Sequence, residues 1–474
     1  MPERRTSDAV VVVHRSGPLR GEVVVPGAKN SVLKLMAATI LADGEYRLRN
    51  VPDIADVRIM AELLGAIGIT TTAAADVHDG ELTLVNRGDL VPVAPYELVE
   101  RIRASINVLG PLLGRVGRVR LSLPGGDDFG SRPIDMHLSG LEAMGAEITL
   151  EHGDVVATAE RLHGADITFE FPSVGATENI LTAAVHAKGT TVIDNAAREP
   201  EISDLCRMLI SMGADIEGVG TSRLVVHGVE PGSLHATDHV TVPDRIQAAT
   251  YVAAAAVTGG ELFLRGARAE HMEMLLRRFG DMGLQIVPQH DGLTVFAPER
   301  LRSIDVATLP YPGIATDYKP LVVTMLAVGD GVGIVTENLY PGRFRYVEEL
   351  CRLGADIRTD GHHAVVRGRP SLSGAPVRAR HPRRCGARGG RARGRRHDHD
   401  QRGPSHRPRV RRPRRPARRG GRPDRTSPAA LTRRRARARA AGSRTVEGFA
   451  GVARVRRGAG RDAAPSPRRP SGRR

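Results

Sequence analysis

The sequence lacks tryptophan, and only three cysteines and 3% aromatic residues occur among its 474 positions. Cys206, Cys351 and Cys385 are too few and too scattered for a disulfide framework or a zinc site, and we expect the first two to be buried in helices. Long hydrophobic runs are also absent, since none reaches the roughly 18 residues that a membrane span needs. The N-terminal stretch MPERRTSDAVVVVH has too short an apolar core for a signal peptide. These absences predict a cytoplasmic protein without a membrane partner.

Lysine is missing from the last part of the chain, where arginine dominates the charge. Residues 379–474 contain 33 arginines and five acidic residues, which gives this segment a net charge of +28. The whole chain has a net charge of +16, so residues 1–378 carry −12. A nucleic-acid-binding surface must neutralise phosphates with clustered Lys and Arg. We therefore expect the acidic body of the protein not to bind nucleic acid.

The same segment, 379–474, has no isoleucine, methionine, tyrosine or asparagine, and it has one leucine and one phenylalanine. It cannot bury enough apolar surface to fold. A basic RNA-binding arm and a solvated tail are two interpretations. We favour a third, a frameshift, because Arg, Pro, Ala and Gly dominate translations of GC-rich DNA in a wrong frame. The HDHD run at His397–Asp400 resembles a metal-binding tract, but in such a segment we expect no metal site.

Before this segment, a structural unit recurs. At this length the chain suggests two or three domains. Each unit is predicted to contain an apolar helix, a strand, a second helix, a glycine turn and a strand pair, which indicates an α/β fold. The apolar helices carry little charge, so we expect sheets to wrap them. A sixth turn is expected at about position 424, but the sequence there has none. The five turn glycines, at spacings of 77, 68, 70 and 71 residues, are Gly68, Gly145, Gly213, Gly283 and Gly354.

Lys29 and Asn30 follow a Pro-Gly turn at the predicted start of the first apolar helix. Backbone amides at a helix start attract anions, and a lysine there adds a full charge. This pattern favours a phosphate or carboxylate site. The alternative is a solvated lysine beside a capping asparagine.

The second unit places Arg101 and Arg103 at a predicted helix start. A cation is unfavourable there because it opposes the helix dipole, and an anionic ligand would explain why two arginines occur at this place. The loop PGGDDFGSRPIDMH then offers glycines for close backbone approach, Arg132 as a forked donor and Asp135 as an acceptor. Glycine-rich loops with acidic residues are also ordinary turns.

The third and fifth units carry polar groups at equivalent places. Ser173 to Gly175 form a turn into a helix, and Arg198, Glu199 and Glu201 follow as a charge cluster that could be purely structural. In the fifth unit Asp317 precedes an apolar helix, where it could be a helix cap, and Arg343 follows a Pro-Gly turn. Equivalent loops of repeated units point toward a common cleft, which predicts one shared site.

Seven segments together closely resemble the enolpyruvyl transferases, specifically the group that acts on UDP-N-acetylglucosamine. They are GAKNSVLKLMAA, RASINVLGPL, LPGGDDFGSRPIDMH, FPSVGATENI, NAAREPEI, ATDYKP and TENLYPGRFR. The resemblance implies two inverse α/β barrels of three repeats each, with the site between them. It places residues 1–26 and 240–378 in the first barrel, which lacks its sixth repeat, and 27–239 in the second.

The resemblance also implies a reaction in peptidoglycan precursor synthesis. The enolpyruvyl group of phosphoenolpyruvate is transferred to the 3-hydroxyl of UDP-N-acetylglucosamine, and phosphate is released, without a metal or organic cofactor. Lys29, Asn30 and Arg343 match phosphoenolpyruvate-binding positions, and Lys29 is expected to be catalytic as well. Arg103 lies near both substrates, Leu339 lines the sugar site, and Asp317 contacts the 3-hydroxyl as the candidate base. The uridine-diphosphate positions are matched by Arg132, Pro133, Ile134, Asp135 and Met136, and by Phe171, Pro172, Ser173 and Val174.

Asp127 stands where most of the family has a cysteine that protonates the methylene carbon of phosphoenolpyruvate. A carboxyl group suits this step if its pKa, near 3.9 in a free side chain, is raised by burial or by the charges of the substrate. We therefore expect Asp127 to be catalytic and the chain to be insensitive to fosfomycin, the epoxide that alkylates the cysteine. The runner-up hypotheses are transfer to shikimate 3-phosphate and an inactive scaffold whose basic tail binds nucleic acid.

The loss of the sixth repeat generates the first prediction. In a neighbouring reading frame, the coding DNA downstream of Val377 should encode an apolar helix, a strand and a glycine turn at the phase of the other units. Resequencing the DNA across residues 377–384 and translating all frames checks this. If no other frame is open there, the frameshift interpretation is wrong.

Overall fold

The computed structural model describes residues 13–14, 16–71, 80–124 and 133–372. The chain divides into two units, Met1–Gly390 and Arg391–Arg474, and every described residue belongs to the first. Asp127, Arg132, Cys385, the HDHD run and the segment 379–474 lie outside the described residues.

The strands are β1 (Arg20–Val24), β2 (Gly44–Arg49), β3 (Ile69–Thr71), β4 (Glu81–Asn86), β5 (Val93–Ala94), β6 (Arg118–Ser122), β7 (Glu147–Glu151), β8 (Asp154–Thr158), β9 (Asp166–Thr168), β10 (Thr190–Asp194), β11 (Asp215–Glu217), β12 (Arg223–His227), β13 (Asp238–Val240), β14 (Glu261–Arg265), β15 (Gln285–Gln289), β16 (Gly292–Phe296), β17 (Val306–Ala307), β18 (Val332–Thr336), β19 (Asp356–Asp360) and β20 (His363–Arg367).

The α-helices are α1 (Lys29–Ala38), α2 (Ala55–Ile67), α3 (Tyr96–Val99), α4 (Leu109–Val116), α5 (Asp135–Ala143), α6 (Val174–Ala184), α7 (Pro200–Ser211), α8 (Arg245–Thr258), α9 (Glu273–Asp281), α10 (Lys319–Val328) and α11 (Tyr346–Arg352). Short 3-10 helices span Thr39–Leu41, Arg103–Val108, Ala269–His271 and Thr316–Tyr318.

The predicted unit recurs five times in the described residues, and the α/β class is confirmed. Each unit forms a four-stranded sheet of one pattern, for example β13-β2-β4-β3, in which the hairpin is antiparallel and the first strand is parallel to its neighbour. The five turn glycines follow second helices and have φ between 92° and 112°, a region that favours glycine because it has no Cβ.

The strand predicted before the Pro-Gly turn is found as β1, but the sequence prediction lacks the parallel strands of the other four sheets. These are β5, β9, β13 and β17, of two or three residues. Such lengths are too short for a clear alternation of apolar and polar residues. The partners of β1 and β13 are also far along the chain, since β1 pairs with β14 and β13 pairs with β2.

The interior consists of two apolar clusters. One extends from Val32 to Leu234, and the other joins Val25 to residues between Ala248 and Val366. The predicted burial of the apolar helices is confirmed in the first cluster, where Ser31–Ala38 of α1 and Ala176–Ala184 of α6 are buried throughout. The two clusters support the domain bounds predicted from the sequence, and we propose those bounds here. Strand β13 extends the domain of residues 27–239 by one residue, to Val240.

The backbone passes between the two clusters at two adjacent places. Gly27 forms a β-bridge with Pro243, and the Ala28 amide donates to the Val242 carbonyl over 2.7 Å. A Cβ on Gly27 would lie 1.6 Å from the carbonyl oxygen of Asn50, so only glycine fits this turn. The close approach explains the Pro-Gly pair before α1.

Cys206 is buried on α7, as predicted, whereas Cys351 on α11 is only half-buried. Neither forms a disulfide in the described part of the chain. Among the described residues, every helix is too short or too polar to cross a membrane.

Helix packing at Gly110 generates a stability prediction. A Cβ there would lie 2.2 Å from the Asn179 carbonyl oxygen of α6, a backbone atom that cannot move away easily. Gly110→Ala should lower the free energy of unfolding by about 1–3 kcal/mol through overpacking. Urea unfolding measures this.

Gly65→Ala is the matched control, because Gly65 also lies in a helix and a Cβ there meets nothing within 4 Å. Alanine is the better helix former by about 1 kcal/mol, so this variant should be as stable as the parent or more stable. Equal unfolding midpoints for the two variants would refute the close contact between α4 and α6.

Candidate active site

Lys29 and Asn30 begin α1 with exposed side chains, and neither caps the helix. The Lys29 ammonium lies 2.5 Å from the Asp56 carboxylate at the start of α2. The backbone amide of Lys29 donates to Asp244 over 3.2 Å. The alternative of a capping asparagine is therefore wrong, and Lys29 has a carboxylate partner that an arriving anion would have to replace.

The interior of α1 carries a second lysine that the sequence interpretation did not single out. The Lys34 ammonium lies 2.5 Å from Glu178 of α6, and both side chains are buried. Burial raises the pKa of Glu178, and the charge of Lys34 opposes this shift. This pair connects the helix that starts at Lys29 with the helix that starts at Val174.

Asn179, the next residue of α6, connects two further elements. Its side-chain oxygen accepts a hydrogen bond of 2.7 Å from the Gly110 amide, so its NH₂ group faces His137, 3.0 Å away. An amide NH₂ can only donate, and Nδ1 of His137 must therefore accept, which leaves the ring proton on Nε2. The ring of His137 also packs against Gly175. His137 thus joins the segments 133–136 and 171–174, both predicted to bind uridine diphosphate.

The side chains of these two segments differ in what they can offer a ligand. Ile134 is 9% exposed and belongs to the first apolar cluster, and the Ser173 hydroxyl caps α6 by accepting from the Ala176 amide. Phe171 is 40% exposed. Pro133 and Asp135 are exposed, while Met136, Pro172 and Val174 are half-buried.

The two arginines of the second unit have different surroundings. Arg101 pairs with Glu62 at 2.6 Å between two exposed side chains, which is an ordinary surface contact. Arg103 begins a 3-10 helix and donates to the carbonyl of Pro124 over 3.3 Å. Pro124 is the last described residue before the segment 125–132, which contains Asp127 and Arg132, so Arg103 contacts the residue at which that segment begins.

Charged and phenolic side chains connect the two clusters. Arg245 at the start of α8 is buried and pairs with Glu201 of α7 at 3.0 Å, and it donates to the Tyr318 hydroxyl over 3.1 Å. Arg198 donates to the carbonyl of Tyr311 over 3.3 Å. Burial raises the pKa of Glu199, and its Oε2 has no hydrogen-bond partner among the described residues. The charge cluster of the third unit therefore lies at the boundary between the clusters.

Asp317 and Arg343 are brought together, with 2.7 Å between Oδ1 and Nη2. The interpretation of Asp317 as a helix cap is wrong, because α10 has no side-chain cap. Asp317 follows Thr316 and precedes Tyr318, the partner of Arg245. A continuous series of contacts and adjacent residues thus leads from Lys29 through Asp244, Arg245 and Tyr318 to Asp317.

The sequence interpretation missed the buried charges around the site. For Lys34 and Glu178 a usable signal was a charged residue inside an otherwise apolar helix, because such a charge must be paired when the helix is buried. The pairing itself could not be read, since the partners are far apart in sequence. The missed residues are Lys34, Glu178, Asp244, Arg245, Lys319 and Glu337.

Proteins of one known family share this sequence pattern and this fold of repeated four-stranded sheets. The profile of the family described as EPSP synthase (3-phosphoshikimate 1-carboxyvinyltransferase) matches residues 13–389. The enolpyruvyl transferase NikO from Streptomyces tendae has the same fold, with a TM-score of 0.69 and 26% identity over 76% of this chain and 84% of NikO. EPSP synthase from Acinetobacter baumannii also has it, with a TM-score of 0.59 and 19% identity over 75% of this chain and 83% of that one. The chain belongs to the enolpyruvyl transferase family.

Within this family, two similar proteins are named UDP-N-acetylglucosamine 1-carboxyvinyltransferase. The protein of Nocardia farcinica is 52% identical over 361 residues, which are 76% of this chain and 84% of the relative. The protein of Mycobacterium leprae is 50% identical over 366 residues, which are 77% of this chain and 86% of the relative.

The environment of His137 generates a prediction about pH. Burial, with the nearby charge of Arg103, lowers the pKa of His137 from 6.5 to about 4. Unfolding then takes up a proton, so the free energy of unfolding should fall as the pH falls from 6.5 to about 4. Urea unfolding at several pH values should show a shallower dependence for His137→Asn than for the parent.

His290→Asn is the control, because His290 is exposed on a hairpin far from this contact. It should leave the pH dependence unchanged. An NMR titration in which the ring of His137 protonates near pH 6.5 would contradict the prediction.

Proposed function

We propose that this chain transfers the enolpyruvyl group of phosphoenolpyruvate to the 3-hydroxyl of UDP-N-acetylglucosamine and releases phosphate, as a cytoplasmic step of peptidoglycan precursor synthesis. The observation that carries the proposal is about 50% identity to relatives named for this reaction, over more than four-fifths of their length. The contacts of His137 with α6 and the ion pair of Lys34 with Glu178, which together connect α1, α5 and α6, support it.

The proposed substrate sites follow these helix starts. Lys29, Asn30 and Arg343 bind phosphoenolpyruvate, and Arg103 lies near both substrates. Asp317 and Leu339 contact the sugar. The uridine diphosphate is bound by Arg132, Pro133, Ile134, Asp135 and Met136, and by Phe171, Pro172, Ser173 and Val174. Since the Ile134 side chain is buried and the Ser173 hydroxyl caps a helix, these two contribute through their backbone.

The ion pair of Asp317 and Arg343 suggests how the base becomes available. Arg343 exchanges Asp317 for the anionic groups of phosphoenolpyruvate, which leaves the Asp317 carboxylate free to accept the proton of the 3-hydroxyl. The Lys29 ammonium likewise exchanges Asp56 for the substrate. Binding of phosphoenolpyruvate thus prepares the acceptor side of the site.

The proposed reaction proceeds by addition and elimination. Asp127 gives a proton to C3, the sugar oxygen forms a bond to C2, and Asp317 takes the hydroxyl proton. The bond from C2 to the phosphate oxygen then breaks, C3 loses a proton to the Asp127 carboxylate, and phosphate leaves. Asp317 gives the hydroxyl proton to the departing phosphate or to water, which restores both carboxyl groups to their starting states. We expect no metal or organic cofactor in these steps.

Transfer to shikimate 3-phosphate is the second candidate, because the matching family profile carries that name. The solved structure with that activity shares only 19% identity with this chain, which supports the fold alone. Phosphate release with shikimate 3-phosphate, and none with UDP-N-acetylglucosamine, would reverse the order of the candidates. Salt-sensitive nucleic-acid binding without turnover would instead favour the inactive scaffold.

Asp127→Asn tests the proposed acid. A positioned general acid contributes about 100- to 10,000-fold to a rate, so phosphate release should fall by at least about 100-fold. Asp128→Asn, at the next residue of the same loop, is the matched control and should stay within about threefold of the parent. Equal rates for the two variants would exclude Asp127 as the acid.

Fosfomycin gives an independent test of the same position. The parent should not lose activity over time in its presence, because a carboxylate is a poor target for this epoxide. Asp127→Cys should be inactivated, because a thiolate is the stronger nucleophile. Time-dependent inactivation of the parent would refute the assignment.

A further inference from the structure

Glu337 lies directly after β18, and its side chain has no exposed surface. Its Oε1 accepts from the Thr308 hydroxyl at 2.8 Å and from the amides of Leu339 and Tyr340 at 2.8 and 3.1 Å. Its Oε2 accepts from the Thr316 hydroxyl at 2.7 Å. One carboxylate therefore joins the end of β17, the turn before α10 and the loop after β18.

Lys319 supplies the opposite charge. Its ammonium lies 2.7 Å from Oε2 of Glu337, also without exposed surface, and 3.9 Å from the centre of the Phe344 ring. Burial opposes the charge of Glu337, but the Lys319 ammonium and the hydroxyls of Thr316 and Thr308 lower its pKa to about 2. The carboxylate is therefore ionised at neutral pH.

The segments joined by Glu337 carry three of the proposed site residues. Asp317 follows Thr316 directly and precedes Lys319 by two residues. The side chains of Thr316 and Lys319 both contact the Glu337 carboxylate. Leu339 donates its amide to Glu337, and Arg343 is four residues further along the same loop. The Glu337 carboxylate therefore fixes the two backbones whose side chains meet in the pair of Asp317 and Arg343.

Stability alone does not explain this arrangement. Removing two charges from water costs several kcal/mol per ion, and apolar residues of the same volume often stabilise a protein as well or better. A carboxylate that accepts from two loop amides gives a directional constraint that an apolar contact cannot give. This constraint matters most for Asp317 and Arg343, because in the proposed reaction their side chains exchange each other for the substrates while their backbones stay in place.

We propose that Glu337, held by Lys319, is a positioning residue that keeps Asp317 and the loop Leu339–Arg343 at the spacing the transfer reaction requires. This inference rests on the proposed function. It assigns Glu337 no contact with the substrates.

Two double variants test it, and both remove the buried ion pair. In Lys319→Met with Glu337→Gln, the side-chain carbonyl can still accept from the amides of Leu339 and Tyr340. In Lys319→Met with Glu337→Leu, these amides lose their acceptor. Val366→Ala, in the adjacent strand β20, is the control for lost stability, because Val366 is fully buried and pairs with Gly333 of β18 rather than with either segment.

The Leu double variant should have kcat lowered about 100-fold, because small displacements of reacting groups cost that much, with KM for UDP-N-acetylglucosamine within about threefold. The Gln double variant should lose less than about tenfold in kcat, and Val366→Ala less than about threefold. Hydrogen exchange at the amides of Leu339 and Tyr340 should be faster in the Leu double variant only.

A kcat for the Leu double variant equal to that of Val366→Ala would overturn the inference, as would a raised KM with unchanged kcat. Unchanged exchange at the two amides would overturn it whether or not the enzyme turns over. Absence of phosphate release by the parent would instead contradict the proposed function, and the exchange measurement would still decide whether Glu337 holds the loop.

Discussion

The carboxylate of Asp244 holds the starts of two interior helices at the place where the backbone passes between the two apolar clusters. Oδ1 accepts from the amides of Ile246 and Gln247 at 2.8 and 3.0 Å, and Oδ2 accepts from the amide of Lys29 at 3.2 Å. The first two bonds cap α8, and the third fixes the first residue of α1. Because Lys29 begins the proposed phosphoenolpyruvate site, the geometry of that site depends on both clusters being folded and in contact.

Buried ion pairs extend this constraint from the crossing point to the interior helices. Lys34 pairs with Glu178 between α1 and α6, and Arg245 pairs with Glu201 between α8 and α7. An apolar helix surface allows small rotations and shifts along its axis, whereas a buried charge loses several kcal/mol if its partner moves away. The pairs therefore set the relative rotation of these helices, of which α1 and α6 begin at residues of the proposed site. A function that needs several helix starts at fixed spacing gives a reason to keep charges in the interior.

The sequence predicts those parts of the structure that are repeated or local. The glycine turns, the apolar helices and the hairpins each depend on a pattern of neighbouring residues, and all five copies are found. The pairing of β1 and of β13 involves partners more than 190 residues away, and no local pattern encodes it. The same difference holds in the site. Lys29, Asp317 and Arg343 lie in recognisable segments, but the contact of Arg343 with Asp317 and the dependence of both on Glu337 come from the tertiary structure.

The two clusters differ in how completely their helices are covered, and this bears on the segment that begins near residue 379. Every residue from Ser31 to Ala38 of α1 is buried, whereas in α8, the equivalent helix of the fourth unit, Thr250 is exposed and Val257 is 38% exposed. In the first cluster three apolar helices, α1, α4 and α6, come from three units, while the described part of the second has α8 and α10 from two. The composition break and the exposed face of α8 are what the loss of a sixth unit would leave behind, and that loss stays a prediction.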